Sequence, residues 1–319
     1  MGRIVTLGEV VADVYREKSP SDVELPFTAR PGGAPANVAV AAAKLGAASA
    51  FVGRLGDDLF GVFILGALEA VGVDVAAVAH KPPPARTTLA FVELDDDGDR
   101  RFTFYRSTPA ADDLLGPEDI TPELLEGASF ASFGSLSLIK DPMRSAARRF
   151  TDLARELSVP VAFDVNLREN LWSGLDEFRA AVEPILDRAT IVKLSAEEVT
   201  PALGTDDVEA GISMLLDRGA ALVLVSLGGE GALYATAEFR GSVPAYDVDV
   251  IDATGAGDAF LAGVLTHLSE NDGWRQEEET IRTALRRGSG AGALACTDYG
   301  AMRALPTRAE LDRFLVERG

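Results

Sequence analysis

Asp252-Ala-Thr-Gly-Ala-Gly-Asp258 sets two glycines between two acids, directly ahead of the apolar run Ala259, Phe260, Leu261, Ala262, Val264 and Leu265. That run has helical spacing, so the turn opens a helix. The first amides of a helix have no partner inside it and attract anions, phosphate above all. Gly255 and Gly257, flanking Ala256, allow a tight turn and a close approach of ligand to backbone. Asp258 stands beside that anion site, where it could take a proton from an attacking hydroxyl. An anion hole with a carboxylate base is the minimum equipment for moving a phosphoryl group onto an alcohol. The same residues also read as an ordinary helix entry with an acid in its first turn.

Other segments carry compatible chemistry. Pro31-Gly-Gly-Ala-Pro-Ala-Asn37 precedes a short helical run. Its paired glycines, Gly33 among them, would let a polyol lie against the backbone. Asn37 has both donors and an acceptor for sugar hydroxyls, although capping is an equally ordinary task for Asn. Asp13, just beyond the first apolar run, could accept from two hydroxyls or be a solvated loop acid. Phe163-Asp-Val-Asn-Leu-Arg168 ends a strand in alternating polar residues, and Arg168 and Arg106 could hold a phosphate or sugar oxygens. Val225-Ser-Leu-Gly-Gly-Glu-Gly231 is a strand followed by a glycine turn, able to wrap nucleotide phosphates or simply to close a hairpin. Gly288-Ser-Gly-Ala-Gly-Ala293 spells a dinucleotide fingerprint, but it follows a helical run and lacks the strand–turn–helix context. No Walker-type phosphate loop occurs.

These residues need a scaffold. Short apolar runs at Ile4–Leu7, Ala50–Gly53, Phe130–Phe133, Val161–Asp164, Ile191–Lys193 and Leu222–Ser226 alternate with amphipathic stretches at Pro35–Leu45, Leu59–Val71, Met143–Leu157, Glu177–Asp187 and Val208–Arg218. The pattern predicts an α/β fold, a mostly parallel sheet covered by helices on both faces. Ligands in such folds sit beyond the carboxyl ends of the strands. One region departs from the pattern. Arg86–Glu93 and Arg100–Arg106 alternate with period two around Asp95-Asp-Asp-Gly-Asp99, which predicts a hairpin. With the extended piece Val23–Ala29 it could build a small sheet over the active site, or it could extend the main sheet antiparallel.

Composition narrows the classes. The chain has 319 residues, 47% of them hydrophobic, enough for a large core. Its formal charge of −20 disfavours nucleic acid as a partner. No apolar run is long enough for a membrane span. Arg3–Gly8 reads as a buried strand rather than a signal peptide, and the lone Cys296 excludes an internal disulfide, so a cytoplasmic location is expected.

Taken together the motifs resemble the PfkB (ribokinase-like) carbohydrate kinase family. The resemblance rests on Gly32-Gly-Ala-Pro-Ala-Asn-Val-Ala39 and Asp252–Asp258, in matching order and separation, and extends through nearly all of the chain. Within the family the fructokinase-like members are most similar, through Arg86–Val92, Phe102–Arg106, Ala110–Asp112, Phe133–Ile139 and Asp164–Trp172. The resemblance implies a ribokinase-like three-layer fold, with a core of residues 1–12, 31–84 and 108–319 and a β lid of residues 13–30 and 85–107. It implies ATP as donor, Mg2+, and a monovalent cation such as K+.

The implied site has Asp258 as base and the amides of Gly255, Ala256 and Gly257 around the transferring phosphoryl. Asp13, Gly33, Asn37, Arg106 and Arg168 would bind the acceptor. Ser226, Gly228, Gly231, Lys193 and Ser289 would bind ATP. Glu198 would act on Mg2+ indirectly, and Asp252 and Thr254 on the monovalent cation. The chain departs from the family at Lys193-Leu-Ser-Ala-Glu-Glu198, where Ser195 replaces an asparagine while Glu198 keeps the acid. The implied reaction is phosphorylation of D-fructose to fructose 6-phosphate by a homodimer. The alternatives are 2-keto-3-deoxygluconate kinase, aminoimidazole riboside kinase, and a non-catalytic sugar-sensing protein on the same fold.

Overall fold

The structure is a computed structural model and describes residues 2–17, 23–94 and 100–318. Its centre is a nine-stranded sheet in the order β13-β12-β11-β10-β9-β8-β1-β4-β5. The strands are β1 (Arg3–Leu7), β4 (Ala48–Gly56), β5 (Val78–Lys81), β8 (Ala128–Gly134), β9 (Val161–Asp164), β10 (Ile191–Ser195), β11 (Leu222–Ser226), β12 (Ala232–Ala235) and β13 (Arg240–Val243). Every pair from β5 to β11 is parallel; β12 and β13 add an antiparallel edge.

Parallel strands must be covered on both faces, which is why these runs are almost continuously apolar. One face packs on α1 (Ala34–Lys44), α2 (Leu59–Ala70), α7 (Ala256–Ser269), α8 (Glu278–Ala295) and α10 (Arg308–Arg318). The other packs on α3 (Met143–Glu156), α4 (Leu175–Leu186), α5 (Ala196–Leu203) and α6 (Val208–Asp217). A further short helix, α9, spans Ala301–Ala304. Two buried clusters, one on each side of the sheet, make three layers. The chain runs from β1 to β4 on one side and returns to β8 on the other. The carboxyl ends of β1 and β8 therefore flank a switch point, where α/β folds bind ligands.

A separate four-stranded sheet has the order β3-β2-β6-β7, from β2 (Val11–Arg16), β3 (Phe27–Gly32), β6 (Thr88–Leu94) and β7 (Arg100–Tyr105). The expected hairpin is β6–β7, and it belongs to this second sheet, not to an extension of the main one. Its expected turn, Asp95–Asp99, lies outside the described residues. Period-two alternation sorts the faces. Asp13, Ala90 and Phe104 form one cross-strand row and line a cavity. Phe27, Phe91 and Tyr105 stack edge-to-face on the other side, with Phe27 and Tyr105 exposed. Asp13 is therefore a strand residue, not a loop acid, and β2 begins two residues before the expected boundary at Asp13.

Candidate active site

The first turn of α7 is where the site assembles. Gly255 caps the helix at φ 82°, a left-handed conformation that glycine adopts without strain. Gly257 has no such constraint; its requirement is space, because a Cβ there would lie 3.1 Å from Lys193 Nζ. The Ala256 N–H donates to the Ala253 carbonyl at 3.2 Å, so that amide is turned into the loop rather than towards a ligand. Asp252, buried at the turn's entry, accepts from the Thr254 N–H at 2.7 Å and from the Gly300 N–H at 2.9 Å. Its carboxylate braces the loop that carries the glycines.

Two cavities meet at this turn, with Ala253 and Gly257 in the wall of each. The first encloses about 470 Å3 beneath the four-stranded sheet. Asp13, Gly33, Asn37, Arg168, Gly255 and Asp258 all line it. Asn37 sits inside α1 rather than capping it. Its Nδ2 donates to Asp258 Oδ2 at 2.8 Å, which fixes the carboxylate, and its own buried Oδ1 has no partner among the described residues. Burial pushes the Asp258 pKa upward, against the Asn37 hydrogen bond and the positive charges of Lys193 and Arg168. A base raised towards the working pH is better matched to proton abstraction.

Asp13 is raised to about 7 by burial, with Asp252 and Asp258 adding repulsion. Glu9, which follows β1, is raised to about 7 by burial. Sequence reasoning missed Glu9 as well as the lining residues Phe104, Leu136 and Asn166. A signal was available for Asn166 in the alternating polar residues after β9. Its φ of 35° is rare for a residue other than glycine and places a held conformation in the cavity wall.

Lys193 lines this first cavity and forms a buried ion pair with Asp164, at 3.0 Å to Oδ1. Burial would lower its pKa, but Asp164, Glu198 and Asp258 raise it overall, so the ammonium stays charged beside the anion turn. Arg106 does not line the cavity. Its Nη2 donates to Asp112 at 2.6 Å and Asp113 at 2.8 Å, and Asp112 also accepts from the Thr88 hydroxyl. Glu198 caps α5: its carboxylate accepts from Ser195 N at 2.7 Å and Leu167 N at 2.6 Å. It thereby ties the β10 end to the segment bearing Arg168. No three His, Cys, Asp or Glu side chains gather into a metal cage among the described residues.

The second cavity, about 320 Å3, is walled by Ser226, Gly228, Gly231, Tyr246, Phe260 and Ser289, among others. The β11–β12 turn is thus both a hairpin turn and a cavity wall. Gly288–Ala293 lies within α8 and has no fingerprint geometry.

The pfkB family carbohydrate kinase model matches residues 1–308. Fructokinase-1 of Oryza sativa subsp. japonica is 42% identical over 311 residues, covering 97% of this chain and 96% of the relative. Fructokinase from Vibrio cholerae O395, solved with fructose, ADP and calcium ion bound, superposes with a TM-score of 0.89 at 38% identity, covering 99% of each chain. Aminoimidazole riboside kinase from Salmonella enterica, complexed with aminoimidazole riboside and an ATP analog, gives 0.85 at 33% identity, covering 98% of this chain and all (100%) of that one. With the family model spanning nearly the whole chain, the protein belongs to the pfkB family of carbohydrate kinases.

Proposed function

We propose that the protein transfers the γ-phosphate of ATP to D-fructose, giving fructose 6-phosphate. The observation that carries this reading is the meeting of two unlike cavities at one helix N-terminus. One is lined by ionisable side chains and carries a base; the other is apolar and glycine-lined. The acceptor hydroxyl would lie against Asp258, which takes its proton while Asn37 holds the carboxylate in place. The amides of Gly255 and Gly257, with Lys193, would hold the transferring phosphoryl. ATP would enter from the Ser226–Gly231 and Ser289 side.

Mg2+, when bound, would neutralise phosphate charge, and the residues fit an ion that arrives on phosphate oxygens. Glu198 has both oxygens engaged by backbone amides and would act through water. Asp252 and Thr254 would hold a monovalent cation behind the anion turn. The four-stranded sheet, residues 13–30 and 85–107 in the proposed division, would close over the acceptor and exclude water. Its exposed outer aromatics support pairing of two lids in a homodimer. No helix among the described residues is long and apolar enough to cross a membrane, and a cytoplasmic enzyme is proposed.

The acceptor cavity favours a neutral polyol. Glu9, Asp13 and Asp258 surround it with buried acids, and Arg106, a possible partner for a substrate carboxylate, is committed to Asp112 and Asp113. Lys193 and Arg168 share that wall, but Lys193 is paired with Asp164 and set towards the phosphoryl, so above pH 7, where Glu9 and Asp13 ionise, a keto acid would bring one more negative charge against three carboxylates. ATP consumption with fructose, ribose, aminoimidazole riboside and 2-keto-3-deoxygluconate tests the reading. Fructose should give the highest kcat/KM. Sugar-independent inactivity would return the chain to a sensing role.

A further inference from the structure

Glu9 stands at the switch point, two residues past the end of β1, with only 7% of its surface exposed. Its two carboxylate oxygens have different fates. Oε1 accepts from the Ala34 N–H at 3.3 Å, at the start of α1. Oε2 is buried and has no partner among the described residues, yet Glu9 lines the acceptor cavity. A buried carboxylate oxygen without a donor costs free energy, and such a cost persists where a ligand supplies the missing donor. The charged neighbours that act on it are Asp112 and Asp258, which repel it, and Arg168, which attracts it. Each of these is already matched or placed: Asp112 by Arg106, Asp258 by Asn37, and Arg168 on the cavity wall.

We infer that Glu9 determines acceptor specificity. Oε2 takes a hydrogen bond from one hydroxyl of a neutral sugar, and its charge rejects acceptors that carry a carboxylate. The inference rests on the sugar-kinase reading above. A site that pairs a buried acceptor with a particular hydroxyl discriminates strongly against analogues lacking that hydroxyl, because the site group is then left unpaired. Above pH 7, where Glu9 is ionised, its charge beside Asp13 and Asp258 makes a second penalty for a sugar acid, set against the attraction of Arg168 and Lys193 in the same wall, so the comparison below is made at pH 8.

The test compares wild type with Glu9→Gln and Glu9→Asp, both checked for folding by thermal melting. Fructose and its 1-, 3- and 4-deoxy analogues serve as acceptors, beside 2-keto-3-deoxygluconate. Glu9→Gln should lower kcat/KM for fructose by about tenfold, chiefly through KM, and leave the KM for ATP unchanged. One deoxy analogue should be a poor substrate for wild type yet suffer no further loss in Glu9→Gln, which marks the paired hydroxyl. Glu9→Gln should also narrow the gap between fructose and the keto acid, whereas Glu9→Asp, still charged, should weaken fructose and keep the gap. An unchanged fructose KM overturns the inference. So does an equal loss across every analogue, which would make Glu9 only a brace for the start of α1. If fructose is no acceptor, the same comparison is read on whichever neutral sugar the wild type phosphorylates, and the inference is judged apart from the fructose reading.

Discussion

The acceptor cavity and the nucleotide cavity share Ala253 and Gly257, but their walls are made of different things. The first is lined by ionisable side chains: Glu9, Asp13, Lys193 and Asp258, which are buried, and Arg168, which is exposed. The second is lined by Gly228, Gly229, Gly231, Gly292, Ala293 and several apolar side chains, with no charged residue in its wall among the described residues. Buried charges discriminate because each one left unmatched is costly. Small residues discriminate by shape and by backbone contact. The contrast assigns the choice of acceptor to side chains and the binding of nucleotide to the fold itself. Mutations on the two sides should therefore separate cleanly in the kinetics.

The largest effect falls where the cavities meet. Asp258→Asn should lower kcat by about two to four orders of magnitude, the range for losing a general base. Asparagine can still bond Asn37, so the KM for ATP should stay near wild type. Steady-state kinetics with both substrates varied checks this, and near-normal kcat would remove Asp258 from the chemistry.

Arg106 comes next and breaks the comparison on the lid side. Its guanidinium compensates Asp112 and Asp113, both largely buried, and Lys140 reaches Asp113 at 2.7 Å from outside. Arg106→Gln leaves Asp112 without a cation and Asp113 with Lys140 alone, and should cost about 2–4 kcal/mol of stability, with less than a threefold change in fructose KM. Denaturant melts would show it, and adding Asp112→Asn should recover part of the loss. A large rise in fructose KM at unchanged stability would instead place Arg106 on the acceptor.

On the nucleotide side, Ala293→Leu would fill part of the smaller cavity. It should raise the KM for ATP by about tenfold and leave that for fructose unchanged, a loss of roughly 1.4 kcal/mol in binding. Equal rises in both would show that the cavities are not separate.

The most gradual effect is a pH dependence in which activity and stability run in opposite directions. Glu9 and Asp13 are raised to about 7 from 4.5 and 3.8. The folded state therefore binds their protons more tightly than the unfolded chain does. Their contribution to stability is fully present below the unfolded values and is lost as pH rises through about 7. Wild type should thus lose stability between pH 5 and 8 relative to Asp13→Asn, by about 1–3 kcal/mol. Activity should fall in the other direction, as acid protonates Asp258, whose pKa burial also raises. Melts and kcat/KM profiles on the same preparations would test both. A stability difference independent of pH would mean that Asp13 is not protonated in the fold.

How much of this was legible in the sequence follows from how local each feature is. The anion turn and the Gly-Gly segment are written in consecutive residues; Gly255 stands where the backbone is left-handed and Gly257 where Lys193 leaves no room for a side chain. The alternation of apolar runs gave the parallel sheet because each strand is buried on both faces. β2 was not legible, since Asp13 interrupts an otherwise apolar Val-Ala-Asp-Val-Tyr run and reads as a loop. It proves to be a strand residue whose side chain faces the cavity. The bond between Asn37 and Asp258 joins residues 221 apart, and no local pattern announces it. Glu9 acquires meaning only from the burial around it. The type of Arg106 suggested an anion, and nothing local announced that the acids it meets lie six and seven residues downstream.

The most direct test of the account is a competition in one vessel. ATP is limiting, fructose and 2-keto-3-deoxygluconate are present at equal concentration, and the two phosphorylated products are quantified. The acid-lined cavity predicts that fructose 6-phosphate predominates by at least about tenfold, and that Glu9→Gln reduces that ratio. Equal amounts, or an excess of the phosphorylated keto acid, would contradict the assignment of acceptor choice to those buried carboxylates.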